Sequence, residues 1–532
     1  MKRCWKMGVV LMVLVLGVCV PGAAEAATVD INGHLYDTAD SAAVCVKEGT
    51  TLISEQVLSD AFYLSLTRDG DAYTLTNAYE DFRIEGHLGE RTFTMDGEEV
   101  ALPVAAQEKK GVLYLPLRAL AECFGYVNWY GDEAQTLVRF DYNDLKHLPE
   151  AARSEEALTG DFVGDAAIEV PQGHLIAAET AEGPLYLTLD EKGFTVALGT
   201  LETPFIRTQH EGYHLHAYWF DEDYFYWWEY PLKEGATTSY LYMQSRAEGA
   251  QPVLLAECGR SYTHLYGKDA TACCNGNVLW AAPNAAGDEL ALWLYRSATG
   301  DTEKLDSMPL ADSFGATIQV ALDDHRAVWS TCRHVKQNIP QDDEKWALSA
   351  SYGDLKCYDL ATGTTTNLSQ GYNLIGPALV GDYLLVQTAL QEGESAQDND
   401  AFWVYDLANE RWCYQVRPSA FGIDTAAGES WYLMAPMRLD DDHVALSAAG
   451  LSTAYTLPVL DLASGTVHPV QQSDGAPLLC HPDNALPEEL DEGERYLDGV
   501  QPLNALGHNL ATVRFVKDGE RMEEAWPLHF EW

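Results

Sequence analysis

The residues with the clearest chemical potential are His210-Glu211-Gly212-Tyr213-His214, an HExxH string. On a helix this spacing brings two imidazoles to one zinc ion and leaves the glutamate beside the bound water as general base. The surroundings favour a different local structure. Gly212 weakens a helix, and Tyr213 to Phe220, then Asp221-Glu222-Asp223 and a second aromatic run to Tyr230, alternate as a β-hairpin does. In a strand, positions i and i+4 lie about 13 Å apart, too far to share one zinc. Two readings follow: a zinc-dependent hydrolase using His210 and His214 with Glu211 as base, or a hairpin with no catalytic residue and no cofactor, which the pattern favours.

The hairpin is the most aromatic part of the chain. Trp219, Tyr224, Tyr226 and Trp228 are candidates for stacking on a ligand's rings, although packing between sheets uses the same residue types. Other catalytic patterns are absent: the sequence has no G-x-S-x-G elbow, Walker loop or G-x-G-x-x-G.

Charge narrows the partners. Eighty-one acidic against 33 basic side chains give a net charge of −48, a field that repels nucleic acid and anionic lipid. Asp440-Asp441-Asp442 and Asp398-Asn399-Asp400 lack EF-hand spacing and read as solvated turns. The expected partners are a cell-wall glycan, a peptide or another envelope protein.

The start of the sequence reads as a signal peptide over residues 1–26. Lys2, Arg3 and Lys6 precede the apolar run Gly8 to Val20, and Ala24-Glu25-Ala26 offers a cleavage site. The run has 13 residues, short of the ~20 a spanning helix needs. Cys19 after Val18 is a poor lipobox, and no later stretch is apolar enough to span a bilayer. The expected location is therefore secreted or cell envelope, extracytoplasmic. Of eleven cysteines, nine are scattered between Cys45 and Cys480 without a CxxC, which suits isolated buried thiols better than a disulfide framework or zinc knuckle.

Residues 28–141 contain one pattern twice, offset by 62 positions: Gly49, Ile53, Leu58, Phe62, Thr74 and Leu75 fall on Gly111, Leu115, Leu120, Phe124, Thr136 and Leu137. In the second copy Pro116 suits a first helical turn and Gly125 an end, with Leu117, Leu120, Ala121 and Phe124 along one stripe. The run Leu113-Tyr114-Leu115-Pro116-Leu117-Arg118, continuing through Glu122 and Gly125 to Trp129 and Thr136-Leu137-Val138, resembles the copper amine oxidase N-terminal-like domain of bacterial envelope proteins. The first copy departs from it, with Ser54 and Gln56 in place of Pro116 and Arg118. The resemblance implies a non-catalytic accessory module. Quinone chemistry lacks its residues: Asn77-Ala78-Tyr79-Glu80 interrupts the required Asn-Tyr-Asp/Glu, and His214 with His216 lacks an evident third copper ligand.

After a linker at 142–159, residues 160–532 repeat two devices. A polar turn enters a β-rich run at Gly173, Asp223, Gly276, Asp324, Asp382, Asp442 and His508. A strand ends in a hairpin turn at Tyr295 to Gly300, Tyr358 to Gly363, Tyr405 to Asn409 and Leu460 to Gly465. The expected fold is a small α+β N-terminal domain with a duplicated strand-helix-strand unit, followed by an all-β propeller of seven blades.

Overall fold

The computed structural model describes residues 28–31, 34–37, 42–62, 64–76, 83–95, 97–121, 123, 127–131, 135–140, 148–164, 166–172, 174–190, 193–232, 235–259, 263, 267–284, 286–309, 317–337, 347–368, 374–388, 401–423, 432–482, 493–501, 508–517 and 520–532. The proposed signal peptide, Asn77 to Glu80, Asp398 to Asp400, Glu122 and Phe124 to Gly125 lie outside them.

In the small domain, strand Thr50–Ser54 runs into helix Glu55–Asp60, and Val112–Pro116 into helix Leu117–Ala121. The two strands pair antiparallel, Ile53 opposite Leu115. Leu117, Leu120 and Ala121 are buried as the stripe requires, while Arg118 is exposed. Pro116 closes the strand, opposite Leu52, rather than opening the helix. Its missing N–H costs nothing at a strand end. Arg68 and Glu55 tie the copies together: Glu55 Oε2 accepts from Arg68 Nη2 at 2.6 Å and from Leu113 N at 3.0 Å. Strand Thr28–Ile31 pairs parallel with Gln135–Phe140, and a five-stranded meander covers 65–101.

Five four-stranded antiparallel meanders follow at 174–207, 213–259, 271–309, 317–367 and 374–416. Period-2 alternation gives each sheet two apolar faces. In the second, Phe225 and Trp227 pack with Phe194 and Val196 of the first, while Tyr226 and Trp228 pack with Val278 and Trp280 of the third. Of the remaining strands, Tyr432–Leu433 and Ala448–Ala449 pair as a two-stranded sheet and the others form an eleven-stranded sheet. In it Met437–Arg438, His443–Ala445, Pro458–Asp461 and Thr466–Gln471 make one antiparallel group. Tyr496–Gln501, Asn509–Lys517, Glu520–Glu531 and Leu158–Phe162 make another.

Leu158–Phe162 pairs antiparallel with Glu520–Glu531 and parallel with Thr466–Gln471, so it joins the two groups. The stretch read as a linker is docked from 148 onward. Gln415 Nε2 donates to Leu148 O at 2.9 Å, Ala152 N to Gly465 O at 2.9 Å, and Ser154 N to Val467 O at 2.8 Å.

From Asp223 to His508 the polar residue stands just ahead of the second strand of its unit; Gly173 lies outside the described residues. Three of the four hairpin turns share an aspartate cap, the fourth having Arg296 at that position. Asp359 Oδ1 accepts from Thr362 N at 2.7 Å, Asp406 Oδ1 from Asn409 N at 2.9 Å, and Asp461 Oδ1 from Ala463 N at 2.9 Å. These are Asx-type turns, closed by left-handed Gly363 and Gly465.

Turns of successive sheets touch on one side. Arg246 reaches Glu182 at 2.9 Å, Asn275 N donates to Asp221 Oδ2 at 2.8 Å, and Asn275 Nδ2 bonds Asp324. Arg326 lies 3.7 Å from Asp382, and Gly381 abuts the Asp441 carbonyl. Glu222, Asp223, Asp324, Asp441 and Asp442 are exposed along this edge.

Candidate functional site

The HExxH string is a bend leading into a strand. His210 to Gly212 precede Tyr213–Phe220, which begins with Tyr213 and includes His214. Gly212 takes a left-handed φ of 81°, a conformation that breaks a helix. The His210 ring lies 5.1 Å from that of Tyr213. Adjacent strand residues project to opposite faces, so His214 projects away from His210. Glu211 is exposed in the turn. Among the described residues no group of three or more His, Cys, Asp or Glu side chains is arranged to hold a metal.

What holds His210 is Glu229, a carboxylate with no solvent exposure in the strand Tyr224–Pro231. Its Oε2 lies 2.8 Å from His210 Nδ1 and accepts from His210 N at 3.1 Å. Its Oε1 accepts from Gln209 N at 2.6 Å and from Trp227 Nε1 at 3.1 Å. These donors offset the desolvation of a buried carboxylate. Tyr240 stacks on the imidazole at a centroid distance of 4.0 Å, with Tyr213 and Tyr242 around it. Burial first, then the Glu229 charge, pushes the Tyr242 phenol up to about 12. Tyr213 is raised by its burial, by Tyr240 and by Glu229. The half-buried His210, Tyr213 and Tyr240 form an aromatic patch at the mouth of the hairpin.

The four candidate stacking residues divide. Tyr226 and Trp228 are fully buried, with Trp228 Nε1 donating to Thr271 Oγ1 at 3.0 Å. Tyr226 OH donates to Asp221 Oδ2 at 2.6 Å and accepts from Gly276 N at 2.7 Å. Burial and then the Asp221 bond raise its phenol far above the ordinary range. Their faces are taken by the third sheet and leave no surface for a ligand. Trp219 and Tyr224 are partly buried against the same cluster. Sequence reasoning missed Glu229 and Tyr240; a lone glutamate inside an aromatic run was the available signal.

Among the described residues Cys45, Cys258, Cys273, Cys274, Cys357, Cys413 and Cys480 are free thiols. Burial, then the nearby Asp324, pushes Cys274 up to about 12. No helix among the described residues is long and apolar enough to cross a membrane.

No curated protein sequence matches the chain. Among solved structures it is similar to the β-propeller domain of the Trilobed protease from Pyrococcus furiosus, at 11% identity and a TM-score of 0.37, covering 66% of this chain and 98% of that one. It is similar to an oligogalacturonate lyase in complex with manganese, at 12% identity and TM-score 0.35, over 72% and 98% of the two chains. A puromycin hydrolase gives 13% identity and TM-score 0.33, over 85% of this chain and 58% of that one. Residues 30–138 match the family described as the copper amine oxidase N-terminal domain, so the chain carries that domain ahead of a mostly β, propeller-like region.

Proposed function

We propose that this is an exported, non-catalytic binding or scaffold protein of the cell envelope, its β-region closed as seven blades and its small domain a duplicated strand-helix-strand unit. The carrying observation is the use made of the HExxH hairpin: His210 is tied by Nδ1 to buried Glu229, and its aromatic strands are packed on both faces by neighbouring sheets. Such a hairpin is a structural blade that presents a few aromatic edges, not a metal cradle.

Seven blades follow if the eleven-stranded sheet is counted as two units sewn together by Leu158–Phe162. Closing a late strand with an early one removes the free edges that an open array would expose. The 62-residue offset supports the duplication, since each copy runs from strand into helix at matching positions.

The ligand is a cell-wall glycan, a peptide or another envelope protein, engaged by aromatic edges such as Trp219 and Tyr224 and by the His210, Tyr213 and Tyr240 patch. An aromatic patch within an acidic surface suits neutral or cationic ligands. Co-sedimentation of the purified chain with isolated cell-wall glycan, and affinity measurement on envelope peptides, test this. Saturable binding weakened by Tyr213→Ala or Trp219→Ala is expected; absence of binding to every class would reject the reading.

A further inference from the structure

A cavity of about 100 Å³ lies where the groups 437–471 and 496–531 meet, lined by Met434, Met437, Tyr455, Cys480, His481 and Asp498 among others. Its walls come from distant segments that converge on one irregularity. Strand Tyr496–Gln501 shifts register between Leu497 and Gly499, leaving Asp498 as the bulged residue. Bulges of this kind re-aim side chains beside functional sites.

Three residues with sulfur or imidazole side chains line the cavity around that bulge. Val500 N donates to the Met437 sulfur at 3.4 Å. Cys480 is the parallel register partner of Leu497. His481 N donates to Leu497 O at 2.8 Å, and its ring meets that of Tyr496 edge-on at 6.1 Å. Met434 also lines the cavity, its N–H bonded to Ser447 O at 3.0 Å. Cys480 and His481 are only 5% and 6% exposed, so their donor atoms are held away from bulk water. The chain has nine methionines, and two of them line this one small cavity beside a cysteine and a histidine.

The chemistry of this set is soft. Thioether and thiolate sulfur select monovalent copper, whereas hard divalent cations need several oxygens, and zinc takes thiolate, imidazole and carboxylate rather than thioether. The one carboxylate at the wall, Asp498, is held by Arg514 at 2.8 Å. We propose that this cavity binds one Cu(I) ion through the Cys480 sulfur, the Met437 thioether and the His481 imidazole, with Met434 at its entrance. Binding forms a copper–sulfur bond, breaks the Cys480 S–H bond and releases that proton to solvent, with no change of oxidation state. The site is separate from the hairpin patch and stands or falls independently of it.

The test is anaerobic titration of the reduced full-length chain with Cu(I) held by a colorimetric chelator. One equivalent should transfer, and Met437→Leu and His481→Gln should each weaken it roughly tenfold or more, with near-ultraviolet circular dichroism unchanged. Cys258→Ser, in a different cluster, should bind as the parent does. X-ray absorption on the unsubstituted protein provides a check that needs no variant: a mixed sulfur and nitrogen shell is expected. Failure to compete with the chelator, an all-sulfur shell, or transfer indifferent to both substitutions would overturn the assignment.

Discussion

The imidazole of His210 lies 2.8 Å from the carboxylate of Glu229, which is fully buried 19 residues further along the chain. The pair pins the bend before Tyr213–Phe220 to the middle of its sheet. Because Glu229 also accepts two backbone N–H groups and an indole N–H, its removal strands several buried donors. Glu229→Ala should cost about 1–3 kcal/mol or more of stability, read as a lower denaturant midpoint. His210→Ala, which leaves three of the donors in place, should cost less. Equal effects would contradict this arrangement.

The same geometry bears on zinc. Purified protein should hold no stoichiometric zinc at His210 and His214, and substituting both should leave its metal content unchanged. Elemental analysis of parent and double variant decides it. Zinc lost on substitution, together with hydrolysis abolished by Glu211→Gln, would support the metalloenzyme instead.

The divided aromatics should separate by stability. Trp228→Ala removes a fully buried indole and its bond to Thr271, so it should cost about 3–5 kcal/mol. Trp219→Ala removes a partly buried ring and should cost less while affecting ligand binding more. Thermal unfolding alongside binding of the same two variants gives the comparison.

Acid should act on the capped turns. Burial alone would raise Asp406 and Asp461, but bonds from Asn409 and from Ser464 with Ala463 outweigh it, and both carboxyls sit below the ordinary value. Asp359 is lowered first by its Thr362 bonds. A carboxyl lowered in the folded state stabilises fully above the unfolded carboxylate range of about 4 and loses that contribution as pH falls through its folded value. Unfolding midpoints should therefore drop on acidification below about pH 4, and the drop should be shallower in Asp461→Asn. An unchanged slope in that variant would contradict the capping role.

Much of this was legible locally. The strand-to-helix step at Val112 to Ala121, the hairpin behind Gly212 and the Asp-Leu-Ala turns are each written in residues a few positions apart, so short-range sterics and capping reveal them. Pro116 was placed one turn-type away because a proline suits a strand end as well as a helix start. The docking of Leu148 to Phe162 was not legible, since backbone pairing leaves no side-chain signature. Tyr226 and Trp228 take the core role that blade packing favours, and the sequence could not separate them from Trp219 and Tyr224 because burial and ligand stacking favour the same rings. Met437, Cys480 and His481 are brought together only by a bulge at Asp498, which no local pattern announces.

The central claim is that this protein binds a ligand in the envelope without transforming it. Native mass spectrometry of the purified chain, incubated with cell-wall glycan fragments and envelope peptides, tests that claim most directly. The account predicts a bound ligand whose mass is unchanged after prolonged incubation, in both the parent and Glu211→Gln. Products formed by the parent but not by Glu211→Gln would contradict it, as would the absence of any bound species.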